Sequence, residues 1–266
     1  MFTTRLISGI VLVVLAVLVV GKGGGILFAV TGIISLIGLF ELYRALGIHR
    51  RSIAAVGYLT AVSYYGILWW EGEKYLNLMI IASLMVLMAL YVFTFPKYKT
   101  EEITGAFFGV CYVPVMLSFL YQTREMSDGA YLVWLIFLSS WGCDTCAYCV
   151  GMLIGKHKMA PRLSPKKSIE GAVGGAAGAA LLGFLYASVV GGGMDEFSDP
   201  RMACALGCAI GALISQVGDL AASAIKRNHN IKDYGHLIPG HGGILDRFDS
   251  MIFTAPAIYF AMTFLQ

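Results

Sequence analysis

The sequence predicts an all-α integral membrane protein: a polytopic bundle of about nine transmembrane helices, N-terminus cytoplasmic and C-terminus outside. Three observations carry that expectation. Of 266 residues, 58% are hydrophobic and 13% charged, with a mean hydropathy of +0.75, whereas soluble domains carry about 25% charged residues. So few charges cannot cover a water-soluble fold with this much apolar surface. The apolar stretches are long and continuous, which in lipid favours helices over the alternating pattern of a barrel. Finally, Lys and Arg are shared unevenly between alternate connections, and that bias sets orientation.

Nine segments are long enough for a hydrocarbon core that takes about 20 helical residues to cross. They run approximately over 5–20, 26–45, 53–70, 76–95, 103–122, 130–154, 171–191, 201–226 and 245–265. The first follows Arg5. It reads as a helix rather than a cleaved signal, because "GKGGG" (21–25) is a turn and no small-x-small site follows. The seventh, "GAVGGAAGAALLG", places Gly171/Gly175 and Gly174/Gly178 at the small-x-x-x-small spacing that permits close helix contact. Residues 1–125 form an N-terminal helical region, assigned to dimer contacts or lipid access. Residues 126–266 form the catalytic region, with polar loops at 156–170 and 227–244.

With the N-terminus inside, fifteen of the nineteen Lys and Arg residues fall at cytoplasmic ends, leaving Lys22, Lys74, Arg124 and Arg201 outside. Both polar loops then face the cytoplasm. The net charge of +3, without a basic tail, gives no argument for nucleic acid. The six cysteines all lie in apolar stretches. The Cys143, Cys146, Cys149 run has no neighbouring Cys or His to complete a tetrahedral shell, so it reads as small hydrophobic residues.

Carboxylates within membrane helices are costly, about 2.5–3.5 kcal/mol each on insertion scales, and therefore informative. Glu41 stands three residues before Arg44 and reads as half of an intrahelical ion pair. Asp144 lies some eleven residues before the inner end of its span. Asp219 precedes Lys226 by seven residues, roughly 10 Å along a helix, and Asp219, Ser223 and Lys226 share one face. Asp246 and Asp249 share a face at the start of the last helix. Three helices delivering carboxylates to one end of a bundle point to a divalent cation; Mg²⁺ takes one or two carboxylates plus substrate phosphate. The loops supply the matching groups. Lys156, Lys158, Arg162, Lys166 and Lys167 lie in the first, and three histidines and several glycines in the second. Gly240, Gly242 and Gly243 let backbone approach an anion, and the helix N-terminus after them favours negative charge. Lys and Arg facing carboxylates across a metal is the machinery of phosphoryl or nucleotidyl transfer. A cation-coupled transporter using Asp144 and Asp219 is a second reading, but it needs paired broken helices or repeats, and none is evident.

The stretch "SAIKRNHNIKDYGHLIPGHGGILDRFDS" resembles the signature of the phosphatidate cytidylyltransferase (CDP-diacylglycerol synthase) family. The matching positions are Ser223, Lys226, Arg227, Lys232, Asp233, Pro239, Gly240, His241, Gly242, Gly243, Asp246, Arg247 and Asp249. "SPKKSIEG" (164–171) and the Asp144, Ala147, Tyr148 element are also similar to family features, with Ser168 where threonine is common. The resemblance is close over the C-terminal half. It implies that CTP and phosphatidic acid give CDP-diacylglycerol and pyrophosphate, with Mg²⁺, K⁺ as a second cation, and a homodimer among membrane lipids of the inner (cytoplasmic) membrane. On that reading Asp219 and Asp246 bind metal, supported by Asp249 and Asp144. Lys226, Arg227 and Arg247 hold phosphate, with Ser223 beside them. Lys166, Lys167 and Ser168 grip the triphosphate, and His241, Gly242 and Gly243 contact phosphate. A CTP-dependent lipid or polyprenol kinase, which moves the γ-phosphoryl group instead, remains the enzymatic alternative.

Overall fold

Helices follow the apolar runs almost residue for residue, because a chain in lipid must satisfy its backbone hydrogen bonds within each segment. The computed structural model describes residues 2–240 and 242–266, with side chains from Ser8 onward. Among these residues the helices are α1 (Phe2–Lys22), α2 (Gly24–Ala45), α3 (Ser52–Glu71), α4 (Leu76–Phe93), α5 (Thr100–Glu125), α6 (Gly129–Ile154), α7 (Ile169–Val190), α8 (Pro200–Asn228) and α9 (Leu245–Leu265). Eight of them, α2–α9, are long and apolar enough to cross a membrane; the described apolar stretch of α1 is Ser8–Lys22. The chain is a multi-pass membrane protein.

Two helices carry a π-helical turn: Cys111–Val115 in α5, which contains Pro114, and Leu138–Gly142 in α6. Pro114 has no N–H to donate, which accounts for the first. The second sits directly before Asp144. The widened turn there shifts the face presented by every later residue of α6, a device common at functional sites.

The loop expected over 156–170 contains a small antiparallel hairpin, β1 (Lys158–Ala160) and β2 (Ser164–Ser168). Glu170 ties its base: its carboxylate accepts from the N–H groups of Lys156 (3.1 Å) and His157 (3.2 Å) and meets His157 Nδ1 at 2.5 Å.

Helix α8 is the centre of the C-terminal half, packed along α7 and α9, with α7 laid along α6. The glycine stripe of α7 makes that second contact. Gly175 faces Cys143 and Ala147, while Gly174 and Gly178 face Val150 and Cys146; an added Cβ at any of them would lie within about 3 Å of those atoms. Cys143 and Cys146 of the cysteine run are therefore packing partners of the glycines, while Cys149 is exposed.

Alternation of helix direction gathers the basic connections at one end of the bundle. Ser8 Oγ donates to the Pro239 carbonyl (3.2 Å), Arg51 pairs with Glu102 (2.8 Å), and α2 reaches the N-terminus of α9. At the opposite end the Asp128 carboxylate accepts from Asp195 and Glu196 N–H groups, and Tyr259 donates to Glu73 at 2.7 Å.

Candidate active site

The glycine-rich loop before α9 is organised around one carboxylate. Asp246 Oδ2 accepts from the N–H groups of Tyr234 (2.8 Å), Gly243 (3.0 Å) and Gly235 (3.4 Å), and Oδ1 accepts from Lys226 Nζ at 3.0 Å. The Asp246 side chain is 2% exposed. A buried carboxylate is tolerated only when its oxygens are satisfied, and here the loop backbone wraps around it. Lys226 also stands 3.8 Å from Asp249 Oδ2 and 5.3 Å from the ring centre of Tyr234. Burial pushes the Tyr234 phenol well above its ordinary pKa. It stays protonated and donates to the Ala222 carbonyl (3.1 Å), pinning the loop to α8.

Glu41 corrects an expectation. Its carboxylate accepts from the N–H groups of Leu245 (2.8 Å) and Ile244 (3.2 Å), capping the first turn of α9 from a helix more than 200 residues away. Arg44, assigned as its ion-pair partner, donates instead to the Tyr234 carbonyl. The i, i+3 spacing suggested a local pair. Free N–H groups at a helix start attract a carboxylate more strongly, since helix dipole and hydrogen bonding act together. The carboxylate also explains two glycines: a Cβ on Gly235 or Gly243 would run into it. Gly240 and Gly242 meet a different demand, with φ of +76° and +87°, and Gly242 closes a bridge by accepting from Ile238 N–H at 2.8 Å.

Glu41→Ala should therefore loosen the loop from a distance. Charge-assisted hydrogen bonds contribute about 1.5–3 kcal/mol each, so the expected outcome is a lower melting temperature and a fall in turnover of about tenfold or more. Glu41→Gln, which keeps one acceptor oxygen, should recover much of both. Thermal unfolding and initial rates on the two variants check this.

A second cluster lies one to two turns deeper. Lys167, at the end of β2, forms an ion pair with Asp219 of α8. Asp144, Asp219 and Asp249 come from three different helices; Asp219 stands within electrostatic reach of the other two, and those two stand within reach of Arg247. Asp219 and Asp246 are linked indirectly: Lys226 contacts both Asp246 and Asp249, and Asp249 stands within electrostatic reach of Asp219. Ser223 lies half-buried on the same helix between them, and Arg227 is exposed one residue beyond Lys226. His241 lies outside the described residues.

Beside Asp144 opens a cavity of about 280 Å³ lined by Lys166, Lys167, Ser168, Tyr148 and Gln216 among others. Ser168 shapes its wall as the N-cap of α7, accepting from Gly171 N–H at 3.1 Å. Gln216, which the motifs did not single out, donates to the Ala172 carbonyl at 3.0 Å and holds α8 to α7 at the cavity floor. Arg247 faces the other way. Its Nε is buried without a hydrogen-bond partner among the described residues, at the edge of a largely apolar cavity of about 390 Å³.

The site's donor set can be tested against a hard cation. Among the described residues no three carboxylate, histidine or cysteine groups converge closely enough to cage an ion unaided. Yet two of the site's ammonium groups sit on carboxylates, Lys167 on Asp219 and Lys226 on Asp246 and Asp249. The cluster demands positive charge and offers only oxygen donors. That suits Mg²⁺ completed by substrate phosphate better than a closed protein site.

Comparison with known proteins spans nearly the whole chain. The family described as the cytidylyltransferase family matches residues 3–265. The phosphatidate cytidylyltransferase of Staphylococcus saprophyticus is 32% identical over 261 residues, covering 96% of each chain. Those of Staphylococcus aureus and Staphylococcus haemolyticus are 32% and 31% identical, again over 96% of each chain.

Proposed function

Because the chain belongs to the cytidylyltransferase family, we propose that it transfers the cytidylyl group of CTP to phosphatidic acid, giving CDP-diacylglycerol and pyrophosphate. The observation that carries this is the meeting of three carboxylate-bearing helices with Lys167 and Lys226 beside a cavity lined by Lys166 and Lys167. Two polyanions must be brought together there, and fixed positive groups remove the repulsion that otherwise keeps them apart.

In the proposed reaction an oxygen of the lipid phosphate attacks the α-phosphorus of CTP. The bond from that phosphorus to the bridging α–β oxygen breaks, and pyrophosphate leaves with the electron pair. A phosphate attacker is already anionic near neutral pH, so no side chain need remove a proton. Lys166 and Lys167 hold the triphosphate. Arg247, at the inner wall, holds the lipid phosphate, and Lys226 holds Asp246 and Asp249 in place. One or two of the carboxylates of Asp219, Asp249, Asp144 and Asp246 (through Oδ1) would hold Mg²⁺ together with substrate phosphate, and the ion when bound would supply charge neutralisation at the phosphates. A monovalent ion such as K⁺, assembly as a homodimer, placement in the inner membrane and a ninth span formed by α1 belong to the same proposal. So does a cytoplasm-facing site, which the crowding of basic residues at this end supports.

Detergent-purified protein incubated with phosphatidic acid, Mg²⁺ and CTP labelled at the α-phosphorus is expected to yield a labelled CDP-lipid and unlabelled pyrophosphate. Lipid labelled only from γ-labelled CTP would establish the kinase reading in its place.

A further inference from the structure

We infer that the groove between α1 and the rest of the bundle is the seat of one acyl chain of the lipid substrate, with Arg247 at its mouth gripping the phosphate. The inference rests on the proposed reaction and names where its lipid lies.

Four observations converge. The groove encloses about 390 Å³ and is walled almost entirely by aliphatic side chains of α1 and α2, with Phe137, Trp141 and Phe248 closing its inner side. Such a volume lies within the range of ligand pockets. Its walls on α1 run from Gly9 to Val20, eleven residues or about 16 Å at helical rise. Half of a hydrocarbon core about 30 Å thick is about 15 Å, so the groove is one leaflet deep. A chain lying in it keeps the depth it has in the bilayer.

The third observation is charge. Among the described residues Arg247 is the one ionisable side chain lining this largely apolar groove, and its Nε is buried with no hydrogen-bond partner among them. An unpaired buried donor is costly, and a phosphate oxygen satisfies it in charge-assisted geometry. The fourth is position. Arg247 also stands within electrostatic reach of Asp144 and Asp249, and Asp144 lines the lysine-rich cavity on the far side. The two cavities therefore approach each other across the Asp144–Arg247 boundary, one lined by lysines and one by aliphatic groups. A nucleotide phosphate in the first and a lipid phosphate at the mouth of the second would meet at the carboxylate cluster. Helix α1 packs chiefly against α2, and its exposed Ile10, Val14, Val17 and Leu18 face outward, where a chain can enter from the bilayer.

The test fills the groove below its mouth. Ala16 lies seven residues, about 10 Å, deeper than Gly9. In Ala16→Trp the KM for dioleoyl phosphatidic acid should rise by about tenfold or more, while dihexanoyl phosphatidic acid, whose chains stop short of that depth, stays within about twofold. Val30→Phe on the facing wall should reproduce the chain-length split. Equal loss with both lipids, in variants of unchanged melting temperature, would overturn the inference. Should either variant fail to fold, phosphatidic acid with a photoreactive group at the chain end, cross-linked to the unaltered protein, should label α1 and α2; labelling confined to other helices would equally refute it. A wild-type protein forming no CDP-lipid with either substrate would instead refute the reaction itself.

Discussion

Asp246→Asn is expected to bring turnover down by about 150- to 5,000-fold, the kinetic equivalent of the roughly 3–5 kcal/mol lost when one partner of a buried ion pair is removed. The carboxylate holds the loop at four points, through the N–H groups of Tyr234, Gly235 and Gly243 and through Lys226. An amide in its place presents one acceptor and an NH₂ group. Whichever way it turns, the NH₂ meets either the Lys226 ammonium or the loop N–H groups, and donor faces donor. Lys226 is then left half-buried with only the longer contact to Asp249. The loss should appear in kcat and KM for CTP together, because the loop no longer holds its shape, and the melting temperature should fall as well. Asp246→Glu should not rescue it: the Asp246 side chain is 2% exposed and wrapped by loop backbone, so a longer carboxylate must displace the N–H groups that donate to it. Steady-state kinetics with thermal unfolding on both variants measure this.

Asp219→Asn should act differently. Asp219 is half-buried and its described ion-pair partner is Lys167, so its removal frees a lysine that solvent in the neighbouring cavity can hydrate. The fold should survive with little change in melting temperature. Turnover should still fall by about 100- to 1,000-fold, the usual loss on removing one preorganised electrostatic group, and the Mg²⁺ concentration giving half-maximal rate should rise. Lys167→Ala separates the two halves of the contact. If the lysine serves the triphosphate, this variant should lose affinity for CTP while its Mg²⁺ requirement stays close to normal. Rate measurements over a Mg²⁺ titration at saturating and limiting CTP distinguish the cases.

What could be read from the sequence divides along a physical line. Spans such as 245–265 and 130–154 were legible to within a residue or two, because an apolar run in lipid has one stable conformation. The glycine stripe of α7 was legible as a packing face for the same kind of reason: Gly174 and Gly178 leave a groove that only another helix fills. The hairpin within 156–170 was not, since strands of three and five residues rich in lysine carry no alternating pattern. Nor was the π-helical turn before Asp144, whose sequence "LSSWG" contains no proline to mark it. In the site, the acidic groups announced themselves by their cost in a membrane helix. Their division of labour did not. Asp246 spends most of its capacity on loop backbone, and Glu41 belongs to α9 rather than to Arg44. Both depend on contacts that the chain makes only after folding, the second across more than 200 residues.

The central claim is that oxygen donors from separate helices form one incomplete cation site that substrate phosphate completes. Mn²⁺ binding, followed by electron paramagnetic resonance on the purified protein with and without CTP, tests it most directly. The expected result is weak binding by the protein alone, strengthened by about tenfold or more when CTP is present, with most of that gain lost in Asp219→Asn. Mn²⁺ held equally well by the Asp219→Asn protein and the unaltered one, CTP present in both, would contradict the account.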